Sequence, residues 1–191
     1  MKFRAHDTFF IRKGWLSKGM RHVLAAPDVF VSRVNNPMDV LGIGANMVKA
    51  LRYWMVAVGL TTEPASGQRI QTPTELGKVI YDNDPYFEET GTLWLLHYQL
   101  VKDQDAENTE ATAWWFFFNE FKASEFTRED FVSQISKFLI NSDEGKKPLR
   151  TLEDDFNCIV STYVPRLKSN PEKVNPESNI SCPFGELGLI D

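Results

Sequence analysis

A chain of 191 residues with 42% apolar and 25% charged side chains can bury a core and is excluded from the disordered class. No apolar run approaches the roughly 18 residues of a membrane span, and His6 and Asp7 interrupt the opening apolar stretch, unlike a secretory leader. The net charge of −5 is unevenly divided: residues 1–70 hold ten Lys/Arg against four Asp/Glu, and residues 71–191 hold eleven against twenty-two, a basic head on an acidic body.

In chain order, Gly14–Ala26 places Leu16, Met20, Val23 and Leu24 at helical spacing and stops at Pro27. Asp28–Val34, with Val29-Phe30-Val31, reads as a short strand, and Asn35-Asn36-Pro37 as a turn. Between Met38 and Leu60, Gly42 and Gly44 provide a tight corner ahead of a helix. On that helix Met47, Leu51, Trp54, Met55 and Val58 share one face, while Asn46, Lys49, Arg52, Tyr53 and Val56 share the opposite arc. Gly59 fits a C-cap. Leu60–Glu63 reads as a strand, Pro64–Gln68 as a turn and Arg69-Ile70-Gln71 as the returning strand. Thr72-Pro73-Thr74-Glu75 then opens a helix with Thr72 as its cap. Helix, turn, helix and ribbon in this order predict a winged helix-turn-helix.

The remainder is predicted helical over Thr92–Val101, Thr109–Phe121, Thr127–Ile140 and Thr151–Val164, followed by a loop over Ser169–Ser181 and an apolar end from Cys182. The expected fold is therefore mainly α with a small β-hairpin. It divides into a winged helix-turn-helix-like DNA-binding region (1–83), a helical domain (84–168), and a loop with the start of a C-terminal segment (169–191).

The arc of Asn46, Lys49, Arg52 and Tyr53 is the candidate DNA-facing surface, since a groove-binding helix needs amide and guanidinium forks for bases and cations for phosphates. Its competing reading is an ordinary solvated face. Arg69 on the wing and Lys13 near the chain start are candidate phosphate contacts. His6, Asp7, Arg12 and Lys18 are the candidate catalytic set: a base or metal ligand, a carboxylate, and cations for a pentavalent phosphate, with a divalent metal such as Mg or Mn as cofactor. A packed histidine beside surface cations is the alternative. The paired acids Asp154-Asp155 are read as helix-start residues favoured by the macrodipole. Trp114–Phe118 reads first as a fully buried helix, second as a subunit interface and third as a base-stacking surface, and a homodimer is among the expected partners. Cys158 and Cys182 lack the spacing of a zinc site and point to a reducing, cytoplasmic setting.

Several blocks together resemble one bacterial family. They are His6-Asp-Thr-Phe9, Arg12-Lys-Gly-Trp-Leu-Ser-Lys-Gly19, Leu41-Gly-Ile-Gly-Ala-Asn-Met-Val48 with Arg52-Tyr-Trp54, Gly91-Thr-Leu-Trp-Leu-Leu-His97, Thr151-Leu-Glu-Asp-Asp155, Thr162-Tyr163, and Cys182-Pro-Phe-Gly-Glu-Leu-Gly-Leu189. This is the domain family of unknown function found in DNA phosphorothioation gene clusters, which includes the DNA nickase of the Ssp (single-stranded phosphorothioation) defence systems. The resemblance implies a protein that nicks or grips DNA beside a cysteine desulfurase, an ATPase and an ATP-pyrophosphatase-like sulfur-transfer protein. Two departures stand out: the family has His-Glu-Thr-Phe where this chain has Asp7, and relatives continue beyond Leu189. The leading expectation is a DNA nickase component of phage defence. The second is a non-catalytic winged-helix adaptor that recruits the modification machinery, and the third a protein-interaction scaffold that does not bind DNA.

Overall fold

A computed structural model describes residues 1–64, 67–102, 109–164 and 182–191. Among them are eight α-helices: α1 (Trp15–Ala25), α2 (Pro37–Leu41), α3 (Ala45–Ala57), α4 (Glu75–Asn83), α5 (Thr90–Val101), α6 (Thr112–Asn119), α7 (Arg128–Asn141) and α8 (Leu149–Tyr163). A two-stranded antiparallel sheet, β1 (Thr61–Thr62) with β2 (Thr72–Pro73), lies between α3 and α4, and Pro183–Leu187 forms a 3-10 turn. The fold is mainly helical with one small sheet.

The helical periodicities transfer directly to burial. On α3 the stripe Leu51, Trp54, Met55 and Val58 is fully enclosed, because α1 and α2 both pack against it. Gly42, with φ of 61°, makes the left-handed corner between α2 and α3 at little steric cost. The segment 28–34 is not a strand. Val29 and Val31 donate backwards to Ala26 and Asp28 in successive turns that sink Val29 and Phe30 into the core. A strand with one buried face would send these neighbours to opposite sides, whereas the turns bury both.

The hairpin differs from expectation in register. Thr61 faces Pro73 and Thr62 faces Thr72, so the returning strand lies beyond Arg69-Ile70-Gln71. Thr74, not Thr72, caps α4, accepting the Gly77 amide at 2.9 Å. Ala65 and Ser66 of the expected turn, and the expected loop over Ser169–Ser181, lie outside the described residues. A Cβ at Gly77 would strike the Leu60 carbonyl, so α4 rests directly on the backbone that enters β1. Gly77→Ala is expected to lower stability by about 1–3 kcal/mol, read from denaturant midpoints, because backbone must move to admit the methyl group.

In the second half, α6 is enclosed on nearly every side: Trp114, Trp115, Phe116 and Phe117 are all buried. Phe116 and Phe117 pack on Phe131 of α7, which in turn meets Phe156 of α8. The core reading of the aromatic run therefore applies within the chain itself. Helix α7 has a full capping box, Thr127 with Asp130. Helix α8 starts at Leu149, two residues before Thr151.

The two halves share a seam. Residues 2–6 bond to both α6 and α8. Lys2 and Thr112 exchange two hydrogen bonds, the Lys2 amide to Thr112 Oγ1 at 2.9 Å and the Thr112 amide to the Lys2 carbonyl at 3.3 Å. Arg4 donates its amide to both Asp155 oxygens at 2.9 and 3.2 Å, and its guanidinium meets Asp154 at 2.8 Å. The opening residues thus pack with the helical half, across the boundary expected near residue 83.

Candidate nucleic-acid interface

His6 lies in the interior, 1% exposed, not on a concave surface. The Thr8 amide donates to its Nδ1 at 3.1 Å, which leaves the ring proton on Nε2, directed at Asp155 Oδ1 at 2.6 Å. Trp54 stacks at 6.0 Å and Trp114 meets the ring edge-on at 5.4 Å. Burial raises the Asp155 pKa, against the opposing pull of His6 and the Arg4 amide. This burial favours the packed, hydrogen-bonded histidine over the base or metal ligand, the two readings that the sequence left open. Its partner was missed because it stands 149 positions away. Since α8 starts at Leu149, Asp155 falls in its second turn and faces inward, which corrects the macrodipole reading of that acid.

The other members of the expected catalytic set do not gather around His6. Asp7 is half-buried at a φ of 49°, between Arg4 (52°) and Thr8 (68°), a run of left-handed residues that bends the arm around His6. The Arg12 guanidinium lies over the Phe9 ring at 5.7 Å and the Trp15 ring at 5.5 Å. Lys18 donates to the Leu41 carbonyl at 2.8 Å and ties α1 to the end of α2. Among the described residues no three His, Cys, Asp or Glu are grouped as metal ligands.

The α3 arc separates into two parts. Asn46 and Lys49 are exposed at its N-terminal end, with Lys49 Nζ 3.4 Å from Asn46 Oδ1. Arg52 and Tyr53 are not free surface residues, a correction to the expected arc. Glu63 holds Arg52 through two hydrogen bonds of 3.0 and 3.3 Å. Gln71 donates to the Arg52 carbonyl at 2.8 Å and accepts from Thr61 at 3.0 Å, so Arg52 sits where the hairpin is fastened to α3. Tyr53 packs on Trp54 at 5.0 Å and donates its hydroxyl to the Glu110 carbonyl at 3.2 Å. Burial, with Asp155 next, pushes that phenol well above its ordinary pKa.

The exposed cations of this half that meet no carboxylate among the described residues are Arg21, Arg33, Lys49 and Arg69. Arg69 adopts a positive φ of 56° in the hairpin connection. Lys13, Lys18, Arg21 and His22 also line one side of a cleft of about 300 Å³ beside α1. Sequence reasoning selected Lys13 and Lys18 and missed Arg21 and His22. Their signal was present: positions 18, 21 and 22 share a helical face opposite the buried Leu16, Met20 and Val23.

These features define a mainly helical protein with an electropositive N-terminal half. The chain belongs to the family described as protein of unknown function DUF4007, whose model matches residues 3–191. It is also similar to two crystal structures of SspB, one of them with bound magnesium. Each shares 33% sequence identity over 98% of this chain, with TM-scores of 0.83 and 0.82. The chain spans 55% and 56% of those two proteins. No curated protein matches it. Among the described residues no helix is long and apolar enough to cross a membrane.

Proposed function

We propose that this chain is a DNA-engaging component of a DNA phosphorothioation system, and that its N-terminal half grips duplex DNA as a winged helix-turn-helix. The observation that carries the reading is the set of exposed cations without carboxylate partners among the described residues, Arg21, Arg33, Lys49 and Arg69, around the α1–α3 unit and its hairpin. Asn46 and Lys49 stand at the N-terminal end of α3, where a groove-inserted helix meets base edges. The likeness to SspB over nearly the whole chain supports the phosphorothioation setting. In that setting the partners are a cysteine desulfurase, an ATPase and an ATP-pyrophosphatase-like protein, and the compartment is the cytoplasm.

Binding measured by fluorescence anisotropy across a salt series tests the reading. The logarithm of affinity is expected to fall linearly with that of salt, and Lys49→Ala or Arg69→Ala each to lower the slope by about one. An unchanged slope in both variants, or no binding of duplex at low salt, removes the proposal. The geometry favours an adaptor that positions the modification machinery, because the buried His6 offers no base to a phosphodiester.

Strand cutting is the second reading, favoured by the likeness to SspB through the family's link to the Ssp nickase. Asp7, Arg12 and Lys18 remain its candidate residues. Conversion of supercoiled to open-circular plasmid with Mg or Mn separates the two readings: the nickase produces open circles, and the adaptor binds without producing them.

A further inference from the structure

The cleft beside α1 has features that a flat duplex-binding surface does not need. Its volume of about 300 Å³ equals about ten water volumes, at the small end of the range for ligand pockets and far beyond a single ion. One wall is α1, whose first turn carries no acidic residue and begins at Gly14 with a φ of 81°. Lys18 and Arg21 stand one turn apart on that wall, with the Ser17 hydroxyl beside them.

The opposite wall is the 84–88 corner, and it is rigidly built. Asp84 accepts the Glu88 and Glu89 amides at 3.1 and 3.0 Å. Burial alone would raise the Asp84 pKa, but these amides and Thr92 hold it below the ordinary value. The corner presents the ring of Tyr86, 65% exposed, to the cleft. It also presents Glu88, which pairs with Lys13 at 3.2 Å.

We propose that this cleft binds the phosphate-bearing end of a nucleotide, with Lys18 and Arg21 on the phosphate oxygens and the Tyr86 ring against the base. Cations beside one exposed aromatic ring are the combination by which single nucleotides and strand ends are held. A terminal phosphate monoester carries more negative charge than an internal diester, and a concave site admits an end where a continuous duplex presents a convex surface. Glu88 is the residue that an incoming phosphate must displace from Lys13. His22 reports the same positive field: burial lowers its pKa, and Arg21 and Lys18 lower it further. The source of the ligand, a strand end or a free nucleotide, rests on the DNA-engaging reading above; the chemistry of the cleft does not.

The test is fluorescence anisotropy on the full chain with four probes: a 5′-phosphorylated pentanucleotide, its 5′-hydroxyl form, a closed duplex without ends, and a nucleoside 5′-monophosphate as competitor. The phosphorylated strand is expected to bind about tenfold tighter than the hydroxyl form. Arg21→Ala abolishes that preference, Tyr86→Ala weakens both single strands, and Glu88→Gln tightens the phosphorylated one. All three side chains reach the surface, so these variants keep the fold. A monophosphate that displaces the strand at comparable concentration supports the site and identifies a free nucleotide as its ligand; one that does not assigns the site to strand ends. Equal affinity for the two single strands overturns the proposal, as does inorganic phosphate competing as well as the nucleotide. Loss of closed-duplex binding with the phosphate preference intact removes the duplex-gripping function and leaves this site standing.

Discussion

Asp155→Ala is expected to cost about 2–4 kcal/mol of folding stability: about 1–3 for the buried His6 donor left unsatisfied and about 1 for the hydrogen bond lost at the Arg4 amide. The carboxylate is 1% exposed and accepts from His6 Nε2 and from the Arg4 amide. The alanine variant would leave the buried His6 Nε2 donor without its acceptor and the Arg4 amide without its side-chain partner. Loss of the arm's anchor would also loosen the stack of His6 on Trp54. His6→Ala is expected to destabilise by a similar mechanism and to lose DNA binding only as far as the fold is lost. Urea unfolding followed by tryptophan fluorescence reads both variants, since Trp54 and Trp114 flank the pair. A His6→Ala protein of wild-type stability that specifically loses strand cutting would return His6 to the role of catalytic base.

The second large effect is acid sensitivity through His97. Its Nδ1 lies 2.8 Å from the Tyr163 hydroxyl, and Phe118 meets the ring edge-on at 4.7 Å. Burial lowers its pKa from 6.5 to about 4. The unfolded chain therefore takes up this proton first as pH falls. The stabilising contribution is whole above pH 6.5 and is lost progressively down to about pH 4, a total of roughly 3 kcal/mol. Thermal unfolding across this window should show a steep decline in the wild type and a flatter one in His97→Gln, which starts from lower stability. Parallel curves for the two proteins would count against a neutral, buried His97.

What the sequence made legible was local. The apolar stripe of α3 and the core character of α6 depend on neighbours three or four positions away, and each is found as expected. What it hid depends on distant partners. Arg52 looks like a surface cation on a helical wheel, and only the fold of the hairpin brings Glu63 and Gln71 to it. Tyr53 looks like a solvent-facing phenol until Glu110 arrives from the second half. Val29-Phe30-Val31 has strand propensity, but successive turns bury both Val29 and Phe30. The cleft combines α1 with a corner some 65 residues later, so half of its basic wall could be read from the sequence and its acidic and aromatic wall could not.

The arm that bonds to α6 and α8 also constrains how the molecule is made. Residues 2–6 leave the ribosome well before their partners, Thr112, Asp154 and Asp155, are translated. The α1–α3 unit can gather its own apolar stripe early, but Trp54 keeps an uncovered flank until α8 exists to hold His6 against it. Completion of the fold therefore waits on closure of a loop that spans most of the chain, a slow step for a protein this rich in helix. Until then the nascent head exposes tryptophan surface, which gives chaperones a window of action defined by the synthesis of α8.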